Sequence, residues 1–98
     1  MGAAVFIGDE LTAAGFRLAG IETVVPEPDA AGEALSEARK GAALVIMTAD
    51  FARRVPGDLL EAALIAERPT LAIVPDVLFR ADMPDLAAKL RRALGIEE

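Results

Sequence analysis

Four short apolar segments are spaced along the chain, and a helical pattern follows each of them. The segments cover residues 3–7, 23–25, 42–47 and 70–74. The last two are unbroken apolar runs, which is typical of strands buried on both faces of a parallel sheet. Consecutive parallel strands need crossover connections, and every connection here has a helical pattern. We therefore expect an α/β fold: a small doubly wound, Rossmann-like, four-stranded parallel sheet with helices on both faces.

The first helical segment is bounded by residues that favour helix ends. Asp9 is predicted to be its N-cap, and Gly20 lies where a C-terminal glycine belongs. Apolar residues recur between them at helical spacing, which predicts one buried face. That face comprises Leu11, Ala14, Gly15 and Leu18. Phe16 and Arg17 lie off this stripe, so they are either an edge contact with a solvated cation or a contact pair at a subunit surface.

The connection after the third strand is predicted to contain two helical pieces. Asp50 is expected to cap the first piece, and the Pro56-Gly57 pair interrupts it because the residue before a proline avoids the helical region. Asp58 is expected to cap the second piece, residues 59–66.

The last helical pattern covers residues 83–98, and we treat it as distinct from a core domain of residues 1–82. One side carries Leu86, Leu90 and Leu94, and the other side carries Lys89, Arg91 and Arg92. Two interpretations of this basic side stay open. The cations either offset the helix dipole on a solvated face, or dock together with the apolar face against a partner.

Composition excludes several classes of function. The chain has 98 residues and a net charge of −6, which disfavours nucleic acid as a partner. It has neither cysteine nor histidine, so the usual zinc ligands and the usual general base are missing. No apolar run is long enough to span a bilayer and no secretion signal is visible, so we expect a cytoplasmic protein without direct membrane insertion. The hydrophobic fraction of 54% fits an alanine-rich core or apolar surface reserved for a partner.

Three acidic residues follow strand ends: Asp9, Glu10 and Asp50. This set resembles the acidic pocket of receiver domains, which hold Mg²⁺ beside a phosphorylatable aspartate. No lysine lies at a strand end to pair with a phosphoryl group, and helix capping explains two of the acids. No phosphate-binding glycine motif follows the first strand either. We therefore expect no catalytic, cofactor or metal site, and keep a receiver-like signalling domain as the alternative.

The segment from Gly8 to Gly20 carries a resemblance to a known family. Its two motifs are Gly8-Asp9-Glu10 and Gly15-Phe16-Arg17-Leu18-Ala19-Gly20. Together they resemble the N-terminal signature of the F subunit of the V-type and A-type rotary ATPases. Residues 43–50 and 86–96 are similar to the third strand and the terminal helix of that family. The Pro56-Gly57 interruption departs from the continuous helix that is common there.

The resemblance implies a non-catalytic component of the central rotor stalk. Such a component lies beside the long coiled coil of the D subunit, in a complex that couples ATP synthesis or hydrolysis to proton or sodium transport. We call this expected partner the coiled-coil stalk subunit. The implied protein is peripheral to the membrane, and its terminal helix is thought to be mobile and to modulate activity. The residues that we expect to bind the partner are Phe16, Arg17, Leu86, Leu90, Arg91 and Leu94.

Overall fold

The computed structural model describes residues 3–75, which form a single four-stranded parallel sheet. The strands are β1 (Ala4–Ile7), β2 (Glu22–Val24), β3 (Leu44–Thr48) and β4 (Thr70–Val74). Their order across the sheet is β2-β1-β3-β4, and each neighbouring pair is parallel. The predicted parallel sheet is confirmed.

Helices cover both faces of this sheet. The helices are α1 (Glu10–Leu18), α2 (Ala31–Arg39), α3 (Ala49–Ala52) and α4 (Gly57–Ile65), and a 3₁₀ turn (Pro28–Ala30) leads into α2. One core cluster joins α1 to one face, and a second cluster joins α2, α3 and α4 to the other face. The doubly wound arrangement is therefore confirmed. The predicted boundary between residues 82 and 83 lies outside the described residues.

The two central strands are apolar because both of their faces are covered. Phe6 of β1 is in register with Ile46 of β3, and both belong to the cluster beneath α1. Ile7 and Met47, one residue further along, belong to the cluster on the opposite face. Successive side chains of a strand point to opposite faces, so a strand between two helical layers needs apolar residues at every position.

The buried face of α1 differs from the predicted one. Its buried residues are Thr12, Ala13 and Phe16, whereas Leu11 and Leu18 are exposed. The predicted stripe is therefore wrong: α1 is rotated so that Phe16 faces the sheet. The reason is aromatic packing, since the Phe16 ring stacks on Phe6 with centroids 4.5 Å apart and planes 15° apart.

Both predicted ends of α1 are confirmed. The Asp9 carboxylate accepts hydrogen bonds from the Thr12 backbone N–H at 3.0 Å and the Thr12 hydroxyl at 2.8 Å, so this buried threonine has its polar groups satisfied. At the other end Gly20 adopts a φ of 87°, in the left-handed region. Its N–H donates to the Arg17 carbonyl, and the Ile21 N–H donates to the Phe16 carbonyl. This is a Schellman motif.

The two caps predicted after β3 are wrong. Thr48, not Asp50, is the N-cap of α3, because its hydroxyl accepts the Phe51 N–H at 3.3 Å. Asp50 lies inside the first turn of that helix. Similarly, α4 begins after Pro56, which places Asp58 in the first turn and not at the cap. In both cases the acid still lies near the positive end of the helix dipole, where a carboxylate is favourable.

Candidate interaction surface

The side of α1 that points away from the sheet is apolar. Leu11 is 55% exposed, Leu18 is 86% exposed and Ala14 is also exposed. We call these three residues the outer face of α1. A surface helix normally has polar residues on this side, and burying a leucine contributes about 1.5–3 kcal/mol. The outer face is therefore the candidate interaction surface of this helix.

Charged residues of α1 lie on its flank, towards β2. An Arg17 Nη1 atom lies 3.2 Å from Glu10 Oε2. The Nε and Nη2 atoms of Arg17 donate to the Thr23 hydroxyl at 3.1 and 3.0 Å. Both charged side chains are at least half exposed, so the ion pair contributes at most about 1 kcal/mol. The pair places a cation and an anion beside the outer face.

Phe16 and Arg17, which were predicted to form a contact pair, lie in different environments in the structure. Phe16 is 2% exposed, so it offers almost no surface to a partner in this fold. Arg17 lies at the surface next to the outer face. Four other predicted contact residues lie outside the described residues, and their role stays a prediction: Leu86, Leu90, Arg91 and Leu94.

Sequence reasoning missed Leu11, Ala14 and Leu18 as surface residues because it assigned their stripe to the core. A signal was present in the same helix. Ala13 and Phe16 form a second apolar set at a spacing of three residues, and Phe16 is the largest side chain in α1. A helix that is apolar on two sides is usually covered on both.

A second group of exposed apolar side chains lies on the opposite face of the sheet. Leu64 and Ile65, at the end of α4, are 49% and 77% exposed, and Ile73 of β4 is 38% exposed. Ile73 is in register with Met47, whose side chain belongs to the cluster beneath α2, α3 and α4. This group is therefore separated from the outer face of α1 by the sheet.

The three acids of the receiver-like alternative each have a structural partner. Asp9 caps α1 and Glu10 pairs with Arg17. The Asp50 carboxylate lies 3.3 Å from Arg53 and 3.7 Å from Arg54. Within residues 3–75, no three acidic side chains are grouped so that they could hold a metal ion. The geometry therefore does not favour a cation site over helix capping and ion pairing.

The chain matches the model of a known protein family. The model of a protein family described as ATP synthase (F/14-kDa) subunit matches residues 4–88, which is well over half of the chain. A search of curated proteins finds no match. None of the helices between residues 3 and 75 has the length and apolar character needed to cross a membrane.

Proposed function

Because the chain belongs to the family of ATP synthase (F/14-kDa) subunits, the F subunits of the V-type and A-type rotary ATPases, we propose that it lies in the central stalk and binds the coiled-coil stalk subunit. The observation that carries this proposal is the family match over residues 4–88. The exposed leucines of α1 support it, because a helix with a free apolar side is suited to packing against another helix.

The proposed role is non-catalytic. The other subunits of the complex make or hydrolyse ATP and move protons or sodium ions, and this chain supports the coupling between them. The engagement of Asp9, Glu10 and Asp50 in caps and ion pairs agrees with a structural use of these acids. We place the protein on the cytoplasmic side of the membrane, attached through the complex.

Co-purification from the host tests this proposal. An affinity-tagged chain, expressed at its natural level, is captured from membranes solubilised in mild detergent. We expect mass spectrometry to identify the nucleotide-binding subunits and the coiled-coil stalk subunit in a fixed ratio to the chain, and none of them from an untagged host. Recovery of the chain without any other component of a rotary ATPase would contradict the proposal.

We also propose that residues 83–98 modulate the activity of the complex. The densest positive charge of an acidic chain lies there, in Lys89, Arg91 and Arg92. Deletion of residues 83–98 should leave the circular dichroism of the sheet intact and change the ATPase rate of the reconstituted complex. An unfolded deletion variant would show that the segment is structural, and a folded variant with an unchanged rate would show that it is dispensable. Either result refutes the regulatory role.

A further inference from the structure

We propose that the outer face of α1 packs against the coiled-coil stalk subunit as a short heptad segment, with Leu11, Ala14 and Leu18 as its contact positions. The inference rests on the proposed function and adds which surface is used and in which register. It is carried by three observations: the spacing of the exposed apolar residues, the position of the charges beside them, and the small area of the face.

The spacing of the outer face is that of a coiled-coil seam. Ala14 follows Leu11 by three residues and Leu18 follows Ala14 by four, so the three residues occupy positions a, d and a of a heptad. Leu11 and Leu18 are exposed and lie one heptad apart, with the small side chain of Ala14 between them. The space above Ala14 can therefore accept a large side chain from a facing helix.

The remaining heptad positions agree with this assignment. Thr12, Ala13 and Phe16 occupy positions b, c and f, which point away from a coiled-coil partner. All three are buried, and Ala13 and Phe16 pack in the cluster with Phe6 and Ile46 of the sheet. One side of α1 thus packs on the sheet, and its outer face is left to pack against a partner helix.

The charges of α1 specify the partner further. Glu10 and Arg17 occupy consecutive g positions, which flank the seam and select partners by charge. A matching helix therefore presents a cation near Glu10 and an anion near Arg17, about one heptad apart. The ion pair between Glu10 and Arg17, at 3.2 Å, has side chains that are at least half exposed and is therefore weak. Replacing it by two ion pairs with the partner costs little free energy.

The area of the face favours a long helix over a second copy of this chain. With nine residues, α1 is about 13 Å long and offers three apolar contact positions. Packing α1 against α1 would bury far less than the roughly 800 Å² per partner of a stable interface. A long coiled coil extends beyond both ends of α1 and reaches the surface around it, so it is the occupant to which we commit.

Leu18→Lys tests the surface directly, with Ile65→Lys as the matched control. Both residues are largely exposed, at 86% and 77%, so neither substitution should disturb the core. In titrations with the purified coiled-coil stalk subunit, we expect Leu18→Lys to bind about 10–100-fold more weakly and Ile65→Lys to bind within about twofold of wild type. Unchanged binding by Leu18→Lys would overturn the inference and leave the proposed function standing. No binding by the wild-type chain would instead refute the proposed function.

Exchanging the two charges tests the register. The double variant Glu10→Arg, Arg17→Glu keeps opposite charges at the two g positions, but reverses their order along the seam. We expect severalfold weaker binding to the coiled-coil stalk subunit at low salt, with the difference from wild type shrinking as salt is raised. Equal binding by the exchanged variant would overturn the assigned register.

A single introduced cysteine can report whether the outer face of α1 is covered, since the chain has no cysteine of its own. In Ala14→Cys, we expect rapid reaction with a maleimide in the isolated protein and protection in the complex with the coiled-coil stalk subunit. The control Glu61→Cys, at an exposed position of α4, should react in both states. Protection in the isolated protein would overturn the inference. It would indicate another segment of the same chain if it persists on dilution, and a second copy if dilution abolishes it.

Discussion

Replacement of Phe16 by alanine is expected to remove a large part of the protein's free energy of unfolding. The ring is 2% exposed and stacks on Phe6, which is itself fully buried. Removing a buried phenylalanine costs about 3–5 kcal/mol, and a domain of this size is stable by about 5–15 kcal/mol. Urea unfolding followed by circular dichroism measures the loss.

The matched control for this variant is Leu18→Ala, two residues along the same helix. Leu18 is 86% exposed, so its truncation should change the free energy of unfolding by no more than about 0.5 kcal/mol. A Phe16→Ala protein that unfolds at the wild-type urea concentration but loses its partner would contradict the core position of the ring. It would restore the interpretation of Phe16 as a contact residue.

Gly8→Ala is expected to destabilise the protein by about 3 kcal/mol, the upper end of the range for overpacking a core. A Cβ atom at this position would lie 2.5 Å from Phe6 Cζ and 2.8 Å from Thr48 Cγ2. Both neighbours are fully buried. Movement of the Phe6 ring away from the new methyl group would disturb its packing, because the ring is fully buried and stacked against Phe16.

Gly41→Ala is the control for the Gly8 substitution. Its two chain neighbours apart, no heavy atom of the described residues lies within 4 Å of a Cβ atom built at Gly41, and the φ of Gly41 is not in the left-handed region. We expect Gly41→Ala to be neutral or slightly stabilising, since alanine restricts the unfolded chain. Equal effects of the two substitutions on the urea midpoint would show that the close approach at Gly8 carries no penalty.

The sheet could be predicted from sequence because local sequence features, apolar runs and the residues that flank them, show where its strands lie. Residues 70–74 form an apolar run with a proline on each side, and β4 has those bounds. The run from Leu44 to Met47 is apolar at every position, and β3 continues only one residue further, to Thr48. Strands of this kind need both faces covered, which in turn requires helices on two sides.

The orientation of α1 could not be predicted from periodicity, because the helix has two apolar sides. One side contains Leu11 and Leu18, and the other contains Ala13 and Phe16. The choice between them depends on a contact with another element, the stacking of Phe16 on Phe6 of β1. It also depends on the hydrogen bond from the buried Thr12 hydroxyl to the N-cap Asp9. The predicted core stripe is consequently the candidate interaction surface.

The helix starts were missed for a more local reason. Serine, threonine, aspartate and asparagine are all good N-caps, so Thr48 and Asp50 were both plausible starts for α3. The structure selects Thr48, the last residue of β3, which lets the strand pass directly into the helix. Sequence preferences of this kind locate a helix end only to within a residue or two.

The central claim is that this chain lies in the central stalk and binds the coiled-coil stalk subunit. Its most direct test is an isothermal titration of the wild-type chain with that purified partner, both taken from the same organism. We predict saturable binding at a ratio of one to one, with a negative heat-capacity change, because the proposed contact buries apolar surface. The absence of any saturable heat at several temperatures, with both proteins shown to be folded, would contradict the claim.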